Sequence, residues 1–146
     1  ADEYYDRYCD VLPDLSKETL YTKNEKTFLF AASAHPVNGL EELLHAWNIC
    51  EHGNWRLRIA ATDGVQYLSR YRKTVKLLKL ADVEFAVCKS SQDLEIEYAK
   101  CDCFVYPSFN EYDGATVVNA LAYGKPCIAS KFTPWRILPL KKSSTA

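Results

Sequence analysis

The segment YPSFNEYDGATVVNALAYGKP, residues 106–126, holds the clearest chemistry in the chain. An apolar, strand-like run ends at Pro107, and a polar turn follows with one carboxylate, Glu111, and one glycine, Gly114. A helical run then extends from Gly114 and stops at Gly124. The first turn of a helix has backbone N–H groups with no intrahelical partner and carries the positive end of the helix dipole. A helix that begins just beyond a strand end therefore aims hydrogen-bond donors at whatever lies above the strand, an arrangement suited to phosphate.

Such a turn has to be held by a sheet, and the hydrophobic pattern supplies one. Strands are expected over residues 27–33, 55–61, 83–88, 103–106 and 127–130, with helices over 39–51, 64–80, 92–100 and 114–123. Leu40, Leu43, Leu44 and Trp47 recur at helical spacing, as do Leu68, Tyr71, Val75 and Leu78. Strict alternation of strand and helix predicts an α/β fold, a Rossmann-like parallel sheet of about five strands with helices on both faces. Ligands of such sheets bind beyond the carboxyl ends of the strands, near the point where strand order reverses. Residues 34–39 (AHPVNG), 62–64 (TDG) and 107–114 fall on that edge. No G-x-G-x-x-G follows the first strand and no G-K-[ST] occurs, which argues against an ordinary dinucleotide dehydrogenase or a P-loop enzyme. The basic residues Arg70, Arg72, Lys73, Lys76 and Lys79 read as a solvated helix face.

The 146 residues suit one domain with its own core. Residues 1–26 are polar and tyrosine-rich without a period and read as a lead-in segment or linker, and residues 27–146 read as the folded domain. A net charge of −1 gives no electrostatic basis for binding nucleic acid or an acidic membrane. No apolar run approaches the roughly 20 residues of a membrane span, and no signal-peptide pattern opens the chain, so a cytoplasmic location is expected. Four of the six cysteines, Cys88, Cys101, Cys103 and Cys127, lie in or beside apolar strand runs, and none of the six forms a C-x-x-C pair. They are read as reduced core cysteines that hold neither zinc nor a disulfide.

Several stretches together resemble a known family: Asp93-Leu94 through Tyr98-Ala99, Val105-Tyr106-Pro107-Ser108, Glu111, Gly114, and Ala120-Leu121-Ala122-Tyr123-Gly124-Lys125-Pro126. The helix start Asn38-Gly39-Leu40, running to Leu44-His45-Ala46-Trp47, fits the same pattern. Over residues 27–130 the chain resembles the C-terminal half of a GT-B glycosyltransferase, most closely glycosyltransferase family 4. The resemblance implies the donor-binding half of a retaining hexosyltransferase that takes a nucleotide-diphosphate sugar, with no cofactor and no essential metal. It also implies a partner N-terminal acceptor domain that this chain does not contain, without which the chain is not competent. The sequence after residue 130 lacks the family's closing helices, so the domain is expected to be shortened at its C-terminus.

By the same resemblance, Glu111 is the catalytic-site carboxylate that accepts hydrogen bonds from donor-sugar hydroxyls. Gly114, Ala115 and Thr116 would offer backbone N–H groups to the pyrophosphate, and Asn119 stands where a second glutamate holds the ribose. Ser33 and Asn38 occupy the places of an arginine and a lysine that reach the diphosphate, with His35 near enough to substitute in part. Cys88 and Lys89 fall where the family holds the base. Asp113 replaces a common aromatic residue. The departures at Ser33, Asn38, Asp113 and Asn119 also fit an alternative, a non-catalytic glycosyltransferase-like scaffold or subunit with a degraded donor site.

Overall fold

Five parallel strands lie in the order β3-β2-β1-β4-β5 in the computed structural model, which describes residues 25–109 and 115–130. The strands are β1 (Thr27–Ala32), β2 (Arg56–Ala61), β3 (Val83–Val87), β4 (Cys103–Tyr106) and β5 (Cys127–Ala129). Between them run α1 (Leu40–Ile49), α2 (Leu68–Leu77), α3 (Ser91–Lys100) and α4 (Ala115–Ala122). This is the α/β sheet expected from the alternating pattern.

Register shows that both faces are covered. Phe28 of β1 pairs with Cys103 of β4, so Phe104 points to the opposite face from Phe28. Trp47 of α1 packs edge-on against Phe28 at 5.7 Å, whereas Tyr98 of α3 packs on Phe104 at 5.6 Å and stacks on Tyr123. A sheet covered on both faces needs strands that are apolar on both faces, and Leu29, Phe30, Ala31, Leu57, Ile59, Ala60 and Phe104 are all fully buried. Arg58 interrupts this pattern on β2. Its guanidinium forms a two-pronged pair with the buried Glu97 of α3 at 2.6 and 2.7 Å and lies 3.3 Å from Glu84 of β3. These hydrogen bonds, chiefly to Glu97, raise the arginine pKa further against the effect of burial.

The second helix is shorter than its periodicity predicts. Gly64 adopts a left-handed φ of 68°, and residues Val65–Tyr67 form a 3-10 turn before α2 begins at Leu68. Lys79, with φ 56°, ends the helix at the other side. On α2, Leu68 and Tyr71 are buried, while Arg70, Arg72, Lys73, Lys76 and Lys79 are exposed as expected. On α3, Ser90 caps the helix by accepting from the Asp93 N–H, and the Asp93 carboxylate accepts in turn from the Lys89 N–H. None of the five described cysteines is in a disulfide. Cys88, Cys101 and Cys103 are buried and Cys127 is half-buried, but Cys50 is exposed, so the core reading fails for that residue: it caps the solvent-facing end of α1. Among the described residues no helix is long and apolar enough to cross a membrane.

Candidate functional site

Beyond β1 the sheet grows toward β2 and β3, and beyond β4 it grows toward β5, so strand order reverses between β1 and β4. A cavity of about 360 Å³ opens there. Its walls come from Ala32, Ser33, His35, Val37 and Asn38 after β1, Thr62 and Asp63 after β2, Tyr106 at the end of β4, and Thr116 in the first turn of α4. The size falls within the range of roughly 300–1,000 Å³ typical of small-molecule sites.

Asn38 holds this crevice together. It is buried, its side-chain oxygen accepts from the Ser108 hydroxyl at 2.9 Å and the Tyr106 hydroxyl at 3.3 Å, and its amide donates to the Ser33 carbonyl at 2.8 Å. Backbone contact adds to the tie. The Phe109 N–H donates to the Val37 carbonyl at 2.8 Å, and Gly39 sits so close to Pro107 that an added Cβ would lie 2.2 Å from its carbonyl oxygen. The Ser130 hydroxyl donates to the Ser108 carbonyl and draws the end of β5 into the same frame. On the other side, the Ala34 N–H donates to the Asp63 carbonyl at 3.0 Å, and the buried Tyr71 hydroxyl donates to the Ala34 carbonyl at 2.9 Å. Four chain segments distant in sequence are thereby fixed around one opening.

Within the opening, the Thr116 hydroxyl oxygen is buried and has no hydrogen-bond partner among the described residues. A buried hydroxyl without a partner costs about 1–3 kcal/mol, so its presence beside a cavity marks a place where a ligand atom would be stabilising. The Thr116 carbonyl is occupied by the Tyr98 hydroxyl at 3.3 Å. His35 turns its Nδ1 to accept from the Val37 N–H at 3.1 Å, which leaves Nε2 as the ring donor, and its edge packs on Tyr67. Among the described residues lining the cavity none is lysine or arginine, and Asp63 contributes a carboxylate.

The structure thus gathers Ser33, His35, Asn38 and Thr116 on one cavity. Asn119 is exposed on α4 and Ala115 is exposed at its first position, and neither lines the cavity. Cys88 and Lys89 follow β3, which two strands separate from β4, and also lie outside its lining. The Cys88 N–H is used by the Ala61 carbonyl and the Lys89 N–H by Asp93. Glu111, Asp113 and Gly114 lie outside the described residues. Tyr106 and Ser108 enter the site through their bonds to Asn38, which only the register of β1 and β4 brings about. Asp63 could be anticipated from its T-D-G turn after β2, though not its place on the cavity wall.

Solved structures share this architecture. HepE of Anabaena, in complex with UDP and glucose, superposes with a TM-score of 0.70 at 21% identity, over 80% of this chain and 32% of that one. A glycosyltransferase from Rickettsia africae ESF-5 gives 0.73 at 17% identity, over 94% of this chain and 38% of that one. The C-terminal domain of a glycosyl transferase group 1 family protein (LpcC) from Francisella tularensis gives 0.67 at 16% identity, over 96% of this chain and 69% of that one. At such identities the likeness concerns the fold, and this chain spans about a third of the length of the first two. No curated protein matches the sequence. The profile of the family described as glycosyl transferases group 1 matches residues 13–136. Its reach over most of the chain, on a Rossmann-like sheet of the GT-B C-terminal kind with a crevice at the β1/β4 reversal, means that the chain belongs to the group 1 glycosyl transferases.

Proposed function

We propose that this chain is the donor-binding half of a glycosyltransferase that takes its sugar from a nucleotide diphosphate, with the family 4-like, retaining and hexosyl-transferring character that its motifs resemble. The observation that carries the reading is the partnerless Thr116 hydroxyl, buried at the start of α4 and lining a cavity at the strand-order reversal. A phosphate oxygen there would accept from the hydroxyl and from the first N–H groups of α4. His35 Nε2 would add a donor from the opposite wall, and Asn38 would keep the two walls in register. HepE, with UDP and glucose bound, supports a nucleotide-sugar ligand for the same fold. Glu111 keeps the role of accepting sugar hydroxyls that the motif implies, and an acceptor domain from outside this chain would complete the active crevice.

A lining with no lysine or arginine among its described residues favours a second reading, a non-catalytic subunit that retains the fold. Isothermal titration of residues 1–146 with UDP, UDP-glucose, GDP-mannose and uridine separates the two. Donor binding predicts that UDP or GDP-mannose binds with a Kd on the order of 1 mM or tighter, about −4 kcal/mol. It also predicts that UDP binds at least about tenfold more tightly than uridine, because hydrogen bonds to a charged group contribute about 1.5–3 kcal/mol. Binding of uridine and UDP with equal affinity, or no binding of any nucleotide at about 10 mM, would overturn the donor-site reading.

A further inference from the structure

The edge of the sheet where the strands begin carries a second constellation, remote from the cavity. Cys50 caps the C-terminus of α1, His52 lies in the connection to β2, and Asp82 directly precedes β3. The Cys50 sulfur lies 3.6 Å from His52 Nδ1, and His52 Nε2 is hydrogen-bonded to one oxygen of the Asp82 carboxylate. Trp47 fixes both partners. Its indole N–H donates to the other Asp82 oxygen at 3.0 Å, and its ring stacks on the imidazole at 3.9 Å. Burial pushes the Asp82 carboxyl pKa up, but the bonds from Trp47 and His52 outweigh it and hold the group ionised below the usual carboxylate range. A nucleophile within reach of a base, with the base oriented by a third group, is the arrangement that activates side chains for covalent chemistry. The same thiol lines an apolar groove of about 160 Å³ formed with Phe28, Leu43, Trp47, Val105 and Ile128.

We propose that Cys50, His52 and Asp82 form a reactive thiol site that undergoes thiol–disulfide exchange with small disulfides bearing apolar or aromatic groups. The Cys50 S–H, which donates to the Trp47 carbonyl at 3.6 Å in the resting structure, turns to His52 Nδ1 and passes its proton there, where the Cys50 carbonyl at 3.1 Å is a further acceptor for it. The thiolate attacks one sulfur of the disulfide. That S–S bond breaks as the Cys50–S–S–R bond forms, and the departing thiolate takes the proton from Nδ1 and leaves as a thiol. Cys50 is oxidised and the small disulfide supplies the oxidising equivalent. The groove accommodates the R group that stays attached. The other described cysteines are poorly placed to compete. Cys88, Cys101 and Cys103 are buried, and burial, with Cys103 and Cys101 nearby, pushes the Cys127 thiol up to about 12.

The test is the rate of mixed-disulfide formation with dithiodipyridine, and with glutathione disulfide as the anionic comparison. The modified cysteine is identified by peptide mass mapping, which also separates Cys9. The site predicts that Cys50 is modified first, about tenfold faster than a free model thiol at the same pH, since a positioned base accelerates such steps. Its preference for dithiodipyridine over glutathione disulfide should exceed that of the model thiol. Asp82→Asn and His52→Phe should each return the Cys50 rate to that of the model thiol. The phenylalanine keeps a ring on Trp47, and far-UV circular dichroism identifies a variant that has unfolded, in which Cys101 and Cys103 would also label quickly. A fast phase mapped to another cysteine overturns the proposal. So does a Cys50 rate equal to that of the model thiol, or one unchanged in folded His52→Phe.

Discussion

Gly39→Ala measures how tightly the first loop is pressed against the Pro107 turn. Three glycines with positive φ form a graded series. At Gly53 (φ 55°) an added Cβ meets nothing within 4 Å, and at Gly64 (φ 68°) it meets the His35 nitrogen at 3.1 Å. At Gly39 (φ 79°) it meets the Pro107 carbonyl oxygen at 2.2 Å and its carbon at 3.0 Å. All three share a backbone cost of about 1–2 kcal/mol for an L side chain in the left-handed region. Restricting the unfolded chain offsets about 0.4–1 kcal/mol of it. Gly53→Ala should therefore cost about 1 kcal/mol or less, and Gly64→Ala somewhat more, about 1–2 kcal/mol, for the crowding of backbone nitrogens. At Gly39 the obstacle is backbone, so no rotamer change relieves it. One loop must move by more than an ångström, stretching the Phe109–Val37 bond and the Asn38 network. The expected cost is about 3 kcal/mol or more. In urea, with a slope of about 1.5–2 kcal/mol/M, that lowers the unfolding midpoint by about 1.5–2 M relative to the parent. A Gly39→Ala midpoint within about 0.3 M of that of Gly53→Ala would refute the close approach of the two loops.

Other substitutions probe the remaining features. Asn38→Lys restores the cation common in the family but removes three hydrogen bonds and places an ammonium in a buried position, so thermal unfolding should show a loss of about 2–4 kcal/mol and calorimetry no gain in UDP affinity. Thr116→Val removes the partnerless hydroxyl, which should leave stability unchanged or raise it by about 1 kcal/mol in denaturant titration while weakening UDP binding about tenfold. Glu97→Leu leaves Arg58 without its main partner and should cost about 2–3 kcal/mol, most of which Arg58→Met in the same molecule should recover. Asp82, with its carboxyl pKa lowered in the folded state, contributes stability that is complete above the usual aspartate range and is lost as pH falls through that range toward the lowered value. Melting temperatures of the parent should therefore fall more steeply with acid than those of Asp82→Asn, and parallel acid limbs would contradict that role.

The sheet was legible because hydrophobic pattern reports burial directly. Leu57 and Ile59 alternate with more polar neighbours, and Leu40, Leu44 and Trp47 share a helix face, in the sequence as in the fold. The limits of α2 were less legible, because helical periodicity runs through the residues after Gly64 while a left-handed backbone there forces a 3-10 turn. Ser33 and Asn38, named from the sequence as donor-binding residues, do line the cavity, but their type said nothing of what they bond. An asparagine reads the same whether it faces a ligand or three protein partners. Arg58 resembled an ordinary polar break in a strand until Glu97, 39 residues later, was seen beside it.

The amino-acid sequence alone determined the α/β alternation and the likeness to a glycosyltransferase half. Those properties follow from local spacing, where each residue's preference is expressed within a few positions of itself. Only the tertiary structure decided that Asn38 serves as a brace, that the Thr116 hydroxyl is left without a partner, and that Cys50, His52 and Asp82 meet. Each of these depends on strand order and register, which bring residues 30 to 70 positions apart to within a few ångströms, and burial then decides which polar groups are satisfied.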